Sequence, residues 1–116
     1  MYKVITIGDK DVPMLAMASA NIYYKRVFGR DAIILQADAQ SDGERIAFYG
    51  EMGYIMSAMA EAKGDKSKLS AMSFDGYIDW LSQFDNGDYT NAIYEIAKTY
   101  EGQTKPTSKA KKETAR

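Results

Sequence analysis

Apolar residues recur along most of this chain at the spacing of an α-helix. The most regular stretch has apolar side chains at positions i, i+3, i+4 and i+7, which lie on one face of a helix: Phe74, Tyr77, Ile78 and Leu81. Longer stripes predict helices over residues 42–63 and 88–102, with a polar loop at residues 64–68. Ser73 and Asp88 are expected to cap two of these helices. The pattern therefore predicts a mainly helical protein.

Residues that favour helix ends indicate two shorter helices. Ser19 is placed to cap a helix that runs to Phe28, because its hydroxyl can accept a hydrogen bond from a free N–H of the first turn. Gly29 suits the left-handed conformation that follows a helix. Asp31 is expected to cap a second short helix, which extends through Ala39.

The first residues follow the alternation of a β-strand instead. Residues 2–7 are rich in β-branched side chains, and Gly8 with Asp9 provides a turn before a second extended segment at residues 12–15. Pro13 has no N–H to donate to a neighbouring strand, so the second strand is expected at an edge. The N-terminal segment is therefore predicted to be a β-hairpin.

Two glycines lie inside the long predicted helix. Gly50 and Gly53 each weaken a helix by up to about 1 kcal/mol relative to alanine, so their presence needs a structural reason. A second helix that crosses at this point would use the space that the missing side chains leave. The pair therefore predicts a close helix crossing.

The composition is that of one ordinary globular domain. The chain has 116 residues, of which 46% are hydrophobic, and this is enough to bury a core. Residues 105–116 hold five basic residues and one acidic residue, whereas the rest of the chain holds 10 basic and 15 acidic residues. This basic segment has no large apolar residue and is expected to be disordered. We expect an N-terminal hairpin and linker (1–18), a body of four to five helices (19–102) and a disordered basic tail (103–116).

Few kinds of catalysis are open to this chain. It contains no Cys and no His, which removes thiol nucleophiles, the Ser-His-Asp arrangement and the commonest zinc ligands. Asp75 and Asp79 lie one helical turn apart, but a solvated helix face is the favoured interpretation of such a pair. Asp38, Asp42 and Glu44 lack the spacing of a calcium loop. We expect no enzymatic activity, no metal site and no cofactor. The lack of a long apolar run is a separate observation, and it disfavours secretion or a membrane span.

The basic tail leaves a second class of function open. Its net positive charge can contact phosphates, and binding of this kind would depend on salt concentration. The acidic body opposes this hypothesis, and the tail has no aromatic residue to stack on bases. A small nucleic-acid-binding regulator is therefore the alternative function.

Protein binding is the hypothesis that the side-chain content favours. The chain has seven Met, nine Tyr and one Trp, which are residues that adaptable binding surfaces use. For the methionines of the long helix, packing in the core is the favoured interpretation. Four aromatic residues are not all expected to fit a core of this size, and they are the candidates for partner binding: Tyr23, Tyr24, Phe28 and Trp80.

Several segments of the chain resemble one protein family. Residues 5–13 read Ile-Thr-Ile-Gly-Asp-Lys-Asp-Val-Pro, and residues 24–31 read Tyr-Lys-Arg-Val-Phe-Gly-Arg-Asp. Met-Gly-Tyr-Ile-Met at residues 52–56 and Phe-Asp-Gly-Tyr-Ile-Asp-Trp-Leu at residues 74–81 continue the similarity. Together these segments resemble the tail assembly chaperones of long-tailed, siphovirus-type bacteriophages of Gram-positive bacteria. Residues 19–23 depart from the family pattern, which often has Thr-Pro there.

The resemblance implies a function without catalysis. Proteins of this family bind the long helical tape measure protein, keep it soluble, and are displaced when the tail tube polymerises around it. The resemblance also implies a homo-oligomer in the host cell cytoplasm that is absent from the mature virion. In many relatives a frameshift-extended form recruits the major tail tube protein, and Lys111-Lys112 is a pair that slippery codons can encode.

Overall fold

Two strands and six helices make up the described part of the chain. The computed structural model describes residues 1–38 and 41–104, in the order β1 Tyr2–Ile7, β2 Lys10–Leu15, α1 Ser19–Phe28, α2 Ala32–Asp38, α3 Asp42–Ala62, α4 Lys66–Ser70, α5 Phe74–Leu81 and α6 Asn86–Thr104. The prediction of a mainly helical fold with an N-terminal hairpin is confirmed. Helix α6 continues past the predicted boundary at Gly102. The basic tail with its predicted disorder, and the predicted end of α2 at Ala39, lie outside the described residues.

Strands β1 and β2 form an antiparallel hairpin, as predicted. The register runs from Tyr2 opposite Leu15 to Ile7 opposite Lys10, and Gly8 in the turn has a positive φ of 65°. The inner face of the hairpin carries four buried side chains: Ile5, Ile7, Val12 and Met14. Since β2 contacts α3 and β1 contacts α6, the hairpin covers both of these helices.

The long helix α3 is the centre of the fold. It begins with a capping box, in which the Ser41 hydroxyl accepts the N–H of Glu44 at 3.1 Å and the Glu44 carboxylate accepts the N–H of Ser41 at 3.0 Å. Strand β2 and helices α1, α4, α5 and α6 all contact α3. Because elements pack on several sides of it, burial between Phe48 and Ala60 extends well beyond the predicted stripe.

The close crossing predicted at Gly50 and Gly53 is confirmed. A side chain at Gly50 would overlap the ring of Tyr89 on α6. A side chain at Gly53 would lie 3.3 Å from Ile96 of α6 and from Trp80 of α5. The two glycines therefore reduce the helix propensity of α3 but allow its neighbours to pack closely.

The ends of α1 and α2 bear on three predictions. Ser19 is the first residue of α1 and not its cap, and Ala18 in the cap position makes no side-chain hydrogen bond, so this prediction is wrong. Gly29 ends α1 in the left-handed conformation, with φ of 73°, as predicted. The Asp31 carboxylate accepts the N–H of Ile33 at 3.0 Å and caps α2, which is also as predicted.

Two boundaries in the second half of the chain differ from the prediction. The predicted loop at residues 64–68 contains the start of α4, because the Asp65 carboxylate accepts the N–H of Ser67 at 2.9 Å and caps a helical turn. Helix α6 begins ahead of the predicted cap, Asp88, since the Asp85 carboxylate accepts the N–H of Gly87 at 3.1 Å.

Helix α5 begins as predicted but buries less than expected. The Ser73 hydroxyl accepts the N–H of Gly76 at 3.0 Å and caps the helix. Of the predicted apolar face, Tyr77 is buried, whereas Phe74 is 55% exposed and Ile78 is 43% exposed. The regular spacing therefore identified the helix but not how much of its apolar face the core covers.

Candidate protein-binding surface

The four aromatic residues predicted to bind a partner differ in exposure. Tyr24 is fully buried, so in this structure it offers no surface to a partner. Tyr23, Phe28 and Trp80 are half-buried and pack against the core. The guanidinium of Arg26 lies 5.0 Å from the centre of the Tyr23 ring. Three of the four candidates therefore keep some exposed surface.

Phe28, Trp80 and the buried Tyr24 belong to one chain of ring contacts, which we call the aromatic network. The ring centre of Phe28 lies 5.0 Å from that of Tyr24 and 5.2 Å from that of Tyr77. The ring centre of Tyr77 lies 5.9 Å from that of Tyr54, and the ring centre of Tyr54 lies 6.2 Å from that of Trp80. The network joins α1, α3 and α5, and such ring pairs stabilise a fold beyond their burial alone.

A carboxylate holds the hydroxyl of Tyr24 inside the fold. The hydroxyl donates to one oxygen of Glu51 at 2.6 Å, and Arg30 donates to the other oxygen at 2.6 Å. Burial, together with the hydrogen bond and the charge of Glu51, raises the pKa of Tyr24 well above its usual value. The phenol therefore stays protonated at neutral pH, and the arrangement links α1 to α3.

A second apolar surface, which we call the α2–α6 groove, lies open to solvent. It is bounded by α2, the first half of α3 and α6, and it has a volume of about 850 Å³. Two large side chains in it are strongly exposed, Ile33 at 60% and Tyr94 at 69%. Apolar side chains continue its lining between them: Ile46, Phe48, Ile93 and Ala97. The described part of the chain leaves this surface uncovered.

Hydrogen bonds and a cation–π contact hold the polar groups of the α2–α6 groove. The hydroxyl of Tyr49 donates to the carboxylate of Glu101, and the amide of Gln36 donates to the same carboxylate at 3.4 Å. Burial, with the hydrogen bond and charge of Glu101, raises the pKa of Tyr49 above its usual value. The ammonium of Lys98 lies 4.9 Å from the centre of the Tyr94 ring. The groove thus combines an apolar lining with charged groups of both signs.

The sequence predictions did not include the exposed residues of the α2–α6 groove. Tyr94 lies off the apolar stripe of α6, and a large side chain in such a position is a signal that would have identified it. Ile33 is followed by Ile34 and Leu35, and three consecutive apolar residues indicate no preferred face. For Ile33 the pattern therefore contains no comparable signal.

The rest of the described structure offers little other chemistry. Within residues 1–38 and 41–104, no group of three acidic side chains is placed to hold a metal ion. No helix in those ranges is long and apolar enough to cross a membrane. Comparisons of the chain with protein-family models, curated proteins and solved structures find no match. The open apolar groove is therefore the strongest candidate site that the described residues form.

Proposed function

We propose that this protein is a tail assembly chaperone without enzymatic activity, which binds a phage tape measure protein through the α2–α6 groove. The observation that carries the proposal is the exposure of Ile33 and Tyr94 beside an apolar lining. Exposed apolar side chains that lie together gain free energy when a partner removes them from water. The resemblance of four sequence segments to the chaperone family supports the choice of client.

An amphipathic helix is the client shape that the groove fits best. Three helices bound the groove, and grooves of this kind accept the apolar face of a further helix. The volume of about 850 Å³ lies within the range of roughly 300–1,000 Å³ that is typical of binding clefts. A client helix would place apolar residues, three or four positions apart, against Ile33 and Tyr94. The tape measure proteins of the resembled family are long and helical and so present many such faces.

The mixed character of the groove favours binding that can be reversed. A chaperone must release its client when the tail tube polymerises, and many modest contacts allow this better than a few very tight ones. The charged groups Lys98 and Glu101 make part of the groove polar and limit its affinity for any one apolar face.

The proposal includes a homo-oligomer in the host cytoplasm that is absent from the virion. It also includes an extended form that recruits the major tail tube protein.

Co-expression with the tape measure protein tests this function. The wild-type chain is expected to raise the soluble yield of the tape measure protein. Ile33→Asp places a charge in the groove and is expected to remove most of that increase, because burying an unpaired carboxylate is costly. Ile34→Asp is the matched control, since Ile34 is 59% exposed against 60% for Ile33 and lies on the same helix but does not line the groove.

Two results would contradict the proposal. A soluble yield that the wild-type chain leaves unchanged would remove the chaperone function. Equal losses for Ile33→Asp and Ile34→Asp would remove the groove as the binding site. Tight and steeply salt-dependent binding of duplex DNA by the full chain would favour the nucleic-acid-binding alternative instead.

A further inference from the structure

We infer that strand β1 is a site of self-association, at which two copies of the chain pair their β1 strands edge to edge in antiparallel orientation. The site lies on the hairpin and not in the α2–α6 groove. The inference names an interface for the homo-oligomer of the proposed function, and it does not depend on client binding. It rests on the direction of backbone groups along β1 and on the difference between the two edges of the hairpin.

Hydrogen bonds at the open end of the hairpin show which backbone groups of β1 point outward. Met1 and Ala16 exchange two hydrogen bonds between backbone groups, of 2.8 and 2.7 Å. Residue pairs that face each other in an antiparallel hairpin are alternately hydrogen-bonded and not hydrogen-bonded. Because the Met1–Ala16 pair is hydrogen-bonded, the pairs that contain Tyr2, Val4 and Thr6 are not. Their N–H and C=O groups therefore point away from β2. Within the described ranges, these backbone groups have no hydrogen-bond partner.

The corresponding edge of β2 is blocked by Pro13. Pro13 is opposite Val4 in a pair that is not hydrogen-bonded, so its backbone nitrogen faces away from β1. Because proline has no N–H, the outer edge of β2 lacks a donor at this position. Edge strands are commonly protected by proline or by charged side chains. Strand β1 has no proline, and its one charged residue, Lys3, is paired with Glu95 of α6 at 3.0 Å. Of the two hairpin edges in the described part of the chain, the edge of β1 is therefore the unprotected one.

A second copy of β1 is the occupant that fits this edge. One open edge per chain gives a closed dimer, whereas two open edges would allow a filament. A twofold register with Val4 opposite its own counterpart places Tyr2 opposite Thr6, so all the outward-facing backbone groups of these residues find partners. The side chains that meet on the outer face are uncharged, and Tyr2 and Val4 are 61% and 47% exposed. No like charges oppose each other in this register.

The dimer is expected to depend on concentration. Two strands of six residues bury less surface than the roughly 1,200–2,000 Å² of stable protein interfaces. The backbone hydrogen bonds supply most of the specificity, as in other cases where a strand is added to a sheet edge. Monomers and dimers are therefore expected to coexist at micromolar concentrations.

Val4→Pro in the full-length chain tests the edge directly. The substitution removes the outward N–H of β1 without removing a hydrogen bond to β2. In sedimentation equilibrium, the wild-type mass is expected to rise from one chain towards two with concentration, and the variant is expected to remain monomeric with an unchanged circular dichroism spectrum. A wild-type chain that stays monomeric, or a folded variant that associates as the wild type does, would overturn the inference.

Opposite charges at the same position test the register, including the case in which proline unfolds the hairpin. Val4→Lys and Val4→Glu each place like charges across the twofold axis, and each is expected to weaken the dimer roughly tenfold. An equimolar mixture of the two variants is expected to restore the dimer, because Lys then faces Glu. A mixture that associates no better than either variant alone, or a larger assembly that none of these changes affects, contradicts pairing through β1.

Discussion

The aromatic network and the α2–α6 groove are both rich in apolar side chains, but neighbouring elements cover them to very different extents. In the network, rings from α1, α3 and α5 cover one another, and Tyr24 and Tyr77 are 0% and 7% exposed. In the groove, Ile33 and Tyr94 remain largely in solvent. The same kinds of residue thus stabilise the fold in one region and form a candidate binding surface in the other. Packing, more than residue type, separates the two roles.

The largest effect on stability is expected where the network is broken at Tyr24, its most deeply buried member. Tyr24→Ala is expected to lower the free energy of unfolding by about 3–5 kcal/mol, because it leaves a cavity and removes the donor to Glu51. Tyr23→Ala is the matched control and is expected to cost about 1 kcal/mol or less, since Tyr23 is half-buried. Urea denaturation measures both values. Similar losses for the two variants would show that the network is not what holds α1 against α3.

The next largest effect is expected at the crossing beside the groove. Gly50→Ala is expected to lower the free energy of unfolding by about 1–3 kcal/mol, because the new side chain overlaps Tyr89. Gly43→Ala on the same helix meets only Ser41, at 3.9 Å, and is expected to stabilise the protein by up to about 1 kcal/mol. Thermal denaturation compares the two variants. A stabilised Gly50→Ala variant would mean that the crossing can open at little cost.

A smaller effect on the free energy of unfolding is expected at alkaline pH, where Tyr100 ionises. Burial, with the charges of Asp31 and Glu101, raises the pKa of Tyr100 to about 12. The unfolded chain loses this proton near pH 10, so stability from Tyr100 is complete below that pH and is lost as pH rises towards 12. The stability lost by pH 11 is on the order of 1 kcal/mol.

Tyr100→Phe isolates this contribution. The variant lacks the hydroxyl that donates to Asn21 at 2.6 Å, so its stability at neutral pH differs from that of the wild type. The informative quantity is the slope of unfolding free energy against pH above pH 10, which is expected to be shallower in the variant. Identical slopes would show that Tyr100 is solvated in the folded protein.

The smallest effect on stability is expected in the groove itself. Tyr94→Ala is expected to change the free energy of unfolding by no more than about 0.5 kcal/mol, because the ring is 69% exposed. Tyr100→Ala on the same helix removes a fully buried ring and is the contrasting variant, with an expected cost of about 3–5 kcal/mol. Chemical denaturation compares them, and a large loss for Tyr94→Ala would show that the groove belongs to the core.

Local interactions account for most of what the sequence predicted correctly. Gly29 and Ser73 each form a helix end with backbone groups only a few residues away, so their neighbours in sequence are enough to predict it. The start of α6 was missed because Asp85 and Asp88 are both suitable caps, and the local pattern does not choose between them. Gly50 and Gly53 predicted a crossing, but not that α6 is the helix that crosses there.

The candidate site was harder to predict because it depends on which elements meet. Tyr24 was selected by residue type, and its burial follows from the packing of α1 on α3, which the periodicity of one helix does not reveal. Trp80 and Phe28 were selected in the same way and remain partly exposed. Ile33 becomes part of a groove only because α2 and α6 lie on the same side of α3. Exposure of this kind is a property of the assembled fold.

The contact between the hairpin and the last helix has a consequence for the order of folding. Lys3 and Glu95 are 92 positions apart in the sequence, and β1 lies against α6. Contacts this distant are slow to form. On the ribosome, the roughly 90 residues between the hairpin and the end of α6 take about 5–18 s to synthesise. During that interval Ile5 and Ile7 have no α6 to cover them, so the nascent chain exposes an apolar strand that the folding factors of the cell can bind.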